Sequence, residues 1–463
     1  MKKSSLFKRI SLITLSAALV ASSFAGCSSS SSGSASTAAS GTGAAASQVT
    51  LKFTYRDDGS STYKKWIEDV NTKYNNAKVK VVAAPITASE GDYFTKIDLA
   101  LKSGVNCPDL LTEDTFMLNS DAGAGYLENL TDRLNGWSDW SSQFDDALKK
   151  GVTAADGKFY AVPYSTDSRG LWYNKAVFQK AGLPTNWQPK SWDDILSACK
   201  TIKEKCPDVV PFWMNSGKAT GEATSMQTYE MLLYGASGTL YDASSKKWVV
   251  KSGEMSDALN FINSIYKNGY GPSLSLVLNG EAGNTFARQY MPKNKVAIGL
   301  DGYWTTGNWI KGGAAEWDGY TDKVGFASMP TNKGQAPGTI TMAGGWSLAI
   351  PSQSKNKDAA FDVLKFAMNK DNMLAIDKAS GFLTTRKDVA ADASFLAIPF
   401  NKQATEMLKN ATFRPSVDKY SSVTTEIQSM VESVVTGTKV DDAITKYGQN
   451  VTRIVGSDKV ESK

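Results

Sequence analysis

Leu51-Lys52-Phe53-Thr54-Tyr55 decides the fold, because its apolar residues alternate with polar ones at the period of a strand buried on one face. Just after it, Tyr63, Trp66, Ile67, Val70 and Tyr74 recur at helical spacing, and residues 79–83 read as a second strand. Phe94, Ile97 and Leu101 mark a helix that Gly104 ends, and Pro108-Asp109-Leu110-Leu111 opens a third strand. Strand, helix, strand, helix, strand in that order implies an α/β fold: a parallel sheet flanked by helices, with right-handed crossovers. Ligands of such sheets gather beyond the carboxyl ends of the strands. Those ends carry Arg56-Asp57-Asp58 after the first strand and Glu113-Asp114 after the third. Acidic residues just past strands also serve as helix caps, so each has two readings.

Further along, Asp156-Gly157 turns the chain into an alternating run that ends at Tyr164, and Gly170-Leu171-Trp172-Tyr173 reads as another strand. Ser191-Trp192-Asp193-Asp194 is close to a capping box and starts a helix. Residues 209–214 and 296–300 read as strands and 228–233 and 255–266 as helices, which together define a second lobe. Residues 311–338 are glycine-rich and read mostly as loop. Strand character returns at Gly344-Gly345-Trp346-Ser347-Leu348-Ala349-Ile350, followed by helices over 359–368, 431–435 and 441–454.

The chain opens with Lys2, Lys3, Lys8 and Arg9, then an apolar run over 10–20 that is too short to span a bilayer as a helix. Phe24-Ala25-Gly26-Cys27 follows, then a stretch over 28–47 that is almost wholly Ser, Ala, Gly and Thr. The pattern resembles a bacterial lipoprotein signal, except that Phe24 stands where Leu, Val or Ile is usual; the other reading is an ordinary signal peptide with an incidental Cys27. The resemblance implies a signal peptide over 1–26, lipid on Cys27, and a flexible tether over 27–47 that holds the protein at the outer face of a bacterial cell membrane. The whole chain of 463 residues carries +5, but four of those charges lie in the opening segment and leave +1, which gives no sign of nucleic-acid binding. The sequence contains no histidine, which excludes a histidine-based triad and histidine zinc ligation. Cys107, Cys199 and Cys206 are too scattered for a metal site, and Cys199 and Cys206 pair only if the chain turns at Cys206-Pro207. No metal and no cofactor are expected.

Asp156 to Asn174, with Pro163, Asp167 and Tyr173-Asn174-Lys175, then Ala181-Gly182-Leu183-Pro184 and Ser191-Trp192-Asp193-Asp194, resemble the family-1 solute-binding proteins. These maltose-binding-protein-like proteins are the extracellular sugar-binding components of ABC importers. The resemblance extends in order to Gly125-Tyr126-Leu127-Glu128-Asn129-Leu130, Gly302-Tyr303-Trp304, Gly344-Gly345-Trp346 and Gly381-Phe382-Leu383-Thr384-Thr385-Arg386, so it covers nearly all of the chain after the tether. It implies a two-lobe periplasmic-binding-protein-like fold, each lobe a sheet flanked by helices, with a hinge and a ligand cleft between them. The N-terminal lobe would take 48–163 and 343–381, and the C-terminal lobe 164–342 and 382–463.

A sugar site needs aromatic planes for C–H faces and carboxylates, amides and guanidinium groups for hydroxyls. The resemblance points to Trp304 as a stacking aromatic, to Asp167 as a carboxylate entering the cleft beside the hinge, and to Asp58 and Asp114 at strand ends. Arg56 and Asp57 are their neighbours. Asn215 falls in a ligand loop of the second lobe, and Arg414 and Tyr420 in a variable C-terminal loop. Trp346 follows Gly344 and Gly345, whose missing side chains would let a ligand approach the backbone. Core packing for both tryptophans, and an Asp167–Arg169 salt bridge, are the plainer readings. The expected protein is a non-catalytic monomer that carries a carbohydrate, expected to be an oligosaccharide, to an ABC importer. A receptor for another solute, or a glycoside hydrolase using Asp114 and Asp167, are the alternatives.

Overall fold

A computed structural model describes residues 48–463 apart from Asp58, Ser89 and Asp145. Cys27, the signal segment, the tether and Asp58 therefore lie outside the described residues.

The opening strand β1 (Val49–Asp57) buries Leu51, Phe53 and Tyr55, and α1 (Thr62–Tyr74) buries Trp66, Ile67 and Val70 against it. β2 (Val79–Thr87), α2 (Glu90–Ser103) and β3 (Leu110–Asp114) continue the alternation, and both β2 and β3 pair with β1 in parallel. Gly104 follows α2 at φ +68°, the left-handed conformation expected of a residue that ends a helix. β4 (Ala161–Pro163) then ends the first pass through this sheet.

The chain enters a second sheet with β5 (Arg169–Asn174), α3 (Trp192–Lys205) and β6 (Val210–Trp213). Ser191 and Asp194 form the reciprocal capping box at the start of α3. β7 (Val296–Gly302), β8 (Val324–Pro330) and β9 (Thr339–Ala343) join the same sheet. β10 (Trp346–Ala349) returns to the first sheet and is followed by α4 (Lys357–Ala367) and α5 (Lys370–Ser380). β11 (Ala411–Phe413), α6 (Tyr420–Val435) and α7 (Val440–Val455) complete the second lobe. The strand orders are β2-β1-β3-β10-β4 and β11-β9-β8-β5-β7-β6.

The first sheet packs against one apolar core, and the second carries a main core plus a further cluster around Trp172, Trp309 and Phe326. The core of the first sheet gathers Phe53, Trp66, Leu348 and Phe361; the main core of the second gathers Phe212, Ile298, Met329 and Ile427. Val389 and Phe395 belong to the first of these cores, so the packing of the first lobe continues past residue 382.

Several elements differ from the sequence reading, among them β9, α5 and β11, which it did not mark; two others show why. β8 lies inside the glycine-rich stretch over 311–338; nearly all its residues are buried, so it shows no alternation to mark it as a strand. Helix α6 begins at Tyr420 rather than near 431, because Ser421, Ser422, Thr424 and Thr425 dilute an apolar face made of Tyr420, Val423, Ile427 and Val431. Cys199 and Cys206 are both buried and free.

Candidate ligand-binding cleft

The chain passes between the sheets at 163–169 and returns at 343–346, and these crossings are stitched together by backbone. Thr166 exchanges backbone hydrogen bonds with Leu383 at 2.9 and 3.1 Å, and the Tyr164 N–H donates to the Trp346 carbonyl at 2.9 Å. Gly345 sits at φ +144°, and a side chain there would collide with the Ser165 carbonyl.

Beside the crossings lies a cavity of about 240 Å3 whose walls come from both lobes. Arg56, Tyr63, Asp114, Trp346 and Phe382 contribute from one side, and Asp167, Arg169, Asn215, Glu222, Asp301, Trp304 and Arg414 from the other. Strand register explains how distant residues meet. Trp346 is the cross-strand partner of Asp114 at the β10–β3 pairing. Arg169 pairs with Gly302 between β5 and β7, which sets Asp167 and Arg169 beside Asp301 and Trp304. Ala343 pairs with Phe413 between β9 and β11, which brings Arg414 beside Gly344.

Asp167 accepts from the Arg169 guanidinium and, through the same Oδ1, from the Gly344 N–H at 3.0 Å. The Arg169 Nη1 also donates to the Met342 carbonyl at 3.0 Å, and the guanidinium carbon stands 4.8 Å from the centre of the Trp304 ring. Asp167 thus lines the cavity and is also the partner of Arg169, so the salt bridge does not take it out of the cleft. The Trp304 ring occupies the space that a side chain on Gly302 would need, and it is only partly buried. Trp346 is also partly buried, with Phe94 stacked on it at 5.9 Å.

Asp301 ends the buried run of β7. Its Oδ1 accepts from the Gly302 N–H at 2.7 Å and from Gln227 Nε2 at 3.3 Å. Burial pushes its carboxyl up to about 6, opposed by those donors and by Arg169. Two buried polar atoms on this wall, Asn215 Oδ1 and Arg169 Nε, have no hydrogen-bond partner among the described residues, and both belong to residues that line the cavity. These atoms have almost no accessible surface, so the polar groups a solute meets directly are the exposed parts of the lining side chains.

Of the residues expected from sequence, Arg56, Asp114, Asp167, Asn215, Trp304, Trp346 and Arg414 line the cavity. Asp57, Gly345 and Tyr420 do not. Asp57 instead holds the turn after β1, accepting from the Gly59 N–H at 2.9 Å and from Thr87 Oγ1 at 3.0 Å. The space above Gly345 is filled by the crossing backbone rather than left for a ligand. Tyr420 lies in the core at the start of α6, where its single hydroxyl proton is shared between Glu230 at 2.6 Å and Glu222 at 3.2 Å. Burial pushes Glu230 up to about 8.

Sequence reasoning missed Tyr63, Glu222, Gln227, Asp301 and Phe382. Tyr63 reads as one more core residue of α1, yet its hydroxyl meets that of Tyr164 at 2.8 Å beside the cavity. Asp301 was visible as the residue closing a buried strand. Glu222 follows a loop whose length left no motif to align it with.

Two α/β lobes that share a polar cavity walled by tryptophans, with its carboxylates and guanidinium groups supplied from both sides, define a cleft-binding receptor for a small polar solute. The chain belongs to the bacterial extracellular solute-binding proteins, whose family model matches residues 55–374. A maltooligosaccharide ABC transporter solute-binding lipoprotein of Streptococcus pneumoniae is 24% identical over 420 residues, 89% of each chain. A mannitol-binding protein of Pseudomonas aeruginosa is 24% identical over 326 residues, 64% of this chain and 69% of that one. Among solved structures, an ABC transporter solute-binding protein of Thermotoga lettingae bound to α-D-tagatose superposes with a TM-score of 0.77. It is 28% identical, and the match covers 88% of this chain and all of that one.

Proposed function

We propose that this protein is the membrane-tethered receptor of an ABC importer, and that it captures a neutral carbohydrate or polyol, up to a short oligosaccharide, between its lobes without changing it. The observation that carries this reading is the second-lobe wall, where a partly exposed Trp304 ring lines the cavity together with the polar side chains of Asp301, Asn215, Thr305 and Arg169. An indole face suits the C–H face of a sugar, and carboxylate, amide, hydroxyl and guanidinium groups suit its hydroxyls. Neutrality is supported by the near balance of the lining charges, with Arg56, Arg169 and Arg414 set against Asp114, Asp167, Glu222 and Asp301, so that no strong field of one sign selects a charged solute. Pairing within the wall argues against a hydrolase, because both carboxylates that reading would use are held by arginines. The maltooligosaccharide, mannitol and tagatose named for the similar proteins lie within the proposed ligand class. The segments 163–169, 343–346 and 380–384 act as the hinge. Closure follows from a ligand that touches both lobes only when they are shut, which shifts the population toward that form.

A thermal-shift screen of sugars, polyols, amines and peptides tests the ligand class. A ligand at one hundred times its dissociation constant stabilises by about 2.7 kcal/mol. The hit is expected to be a sugar or polyol that chromatography recovers intact; an amine or peptide hit, or shortened sugar, overturns the reading.

The tether is tested separately. With Cys27 as the lipidated first residue, Cys27→Ala releases the protein from the membrane fraction. A wild-type protein that is already soluble and begins elsewhere would remove the anchor from the proposal and leave the receptor intact.

A further inference from the structure

Asp114 is the last residue of β3 in the first sheet, and Arg414 directly follows β11 in the second. Arg414 Nη2 donates to Asp114 Oδ1 at 2.7 Å and to Thr115 Oγ1 at 3.1 Å, both in the first lobe. Its Nη1 donates to Glu222 Oε2 at 3.2 Å, within the second lobe. The three charged side chains are only 7%, 10% and 6% exposed, in the order Arg414, Asp114, Glu222. Phe116 lies under the guanidinium at 4.9 Å and meets the Tyr420 ring at 6.4 Å, and Asn119 Nδ2 donates to Asp418 at 3.3 Å. Residues 114–119 of one lobe therefore grip 414–420 of the other.

We propose that Arg414 is a positioning residue that holds the cleft shut across the two lobes, so that the closed form is populated before any ligand arrives. The inference goes beyond ligand capture while resting on the two-lobe closure proposed above. Glu222 acts from within Arg414's own lobe: it accepts from the Tyr420 hydroxyl and from Thr424 Oγ1 at 2.6 Å, and so fixes the direction in which the guanidinium points. Asp114 is the partner on the far side. A charge pair shielded from water is screened little by salt, and truncating one member of such a pair commonly costs more than a tenfold change in the equilibrium it supports. Part of the closing free energy then comes from the protein itself, and ligand adds the remainder.

The two carboxylates on one guanidinium supply the experiment. X-ray scattering from unliganded wild type, Asp114→Asn and Glu222→Gln measures the closed fraction with no ligand present, so the result does not depend on which solute binds. Asp114→Asn is expected to lower the ratio of closed to open molecules about tenfold or more and to raise the radius of gyration. Glu222→Gln, which weakens the support of Arg414 only from within its own lobe, is expected to lower the ratio by a clearly smaller factor than Asp114→Asn. Should Asp114→Asn fail to fold, Thr115→Val keeps every charge and nearly the same shape while removing Arg414's other cross-lobe bond, and it moves the ratio the same way by a smaller factor. A radius of gyration unchanged in the cross-lobe variants, or moved equally by Glu222→Gln, would overturn the inference.

Discussion

Asp167→Ala is expected to lower the unfolding free energy by about 3 kcal/mol as well as to weaken ligand binding, because the carboxylate is a structural part of the crossing between lobes. Asp167 and Arg169 are only 13% and 10% exposed as side chains. Removing the carboxylate leaves the Arg169 guanidinium in the wall without its counter-charge, and breaking a buried pair in this way typically costs about 3 to 5 kcal/mol. It also leaves the Gly344 N–H at the second crossing without its acceptor. Asp167→Asn retains an oxygen for Gly344 but no charge for Arg169, so its loss should be intermediate. Denaturant unfolding of the three proteins, with calorimetric titration against the sugar or polyol identified by screening, separates the two roles. Wild-type stability with a large loss of affinity would make Asp167 a ligand contact alone, and no change in either quantity would refute both roles.

This double role marks how far the sequence could be read. The first lobe was legible because β1, α1, β2, α2 and β3 are local elements, each with its own apolar period, and their order fixes the parallel pairing of β2, β1 and β3; the sheet as a whole is mixed rather than parallel, because β10 and β4 join it antiparallel. The pairing of β10 with β3 was not legible, since it joins residues more than two hundred positions apart and only the folded register sets Trp346 against Asp114. Cavity-lining residues that close a strand or stand in a short motif, such as Asp114, Asp167 and Trp304, could be picked out from the sequence. Residues whose position depends on long-range packing were misread. Tyr420 stood in what looked like a loop, and only its burial at the start of α6, against Glu222 and Glu230, shows that its hydroxyl serves the core. Glu222 was missed for the converse reason: it follows an unpatterned loop, and the folded chain carries it to Arg414.

Trp304→Ala should produce the largest loss of affinity that leaves the fold intact. The ring lines the cavity, is only partly buried, and rests on Gly302 at the end of β7 while facing the Arg169 guanidinium. A large aromatic side chain buries about 150 to 250 Å2 when fully covered, so a sugar lying on one exposed face removes roughly 100 Å2 from water. At about 25 cal/mol per Å2 that face contributes about 2.5 kcal/mol, which approaches a hundredfold in dissociation constant. The substitution also removes the aromatic partner of the buried Arg169, an interaction worth about 2 kcal/mol when desolvated, while Arg169 stays held by Asp167 and the Met342 carbonyl. Trp304→Phe keeps a ring in place and should lose less than about tenfold, a difference of under about 1.4 kcal/mol. Titration calorimetry of both variants at fixed pH and salt measures the gap between them, and circular dichroism checks that each remains folded. If Trp304→Ala binds like the wild type, the ring is wall packing and the ligand lies elsewhere in the cavity. If instead the variant unfolds, Trp304 belongs to the second-lobe core, and the C–H face of the sugar must be met by Trp346, whose ring lies across the cleft with one side already covered by Phe94.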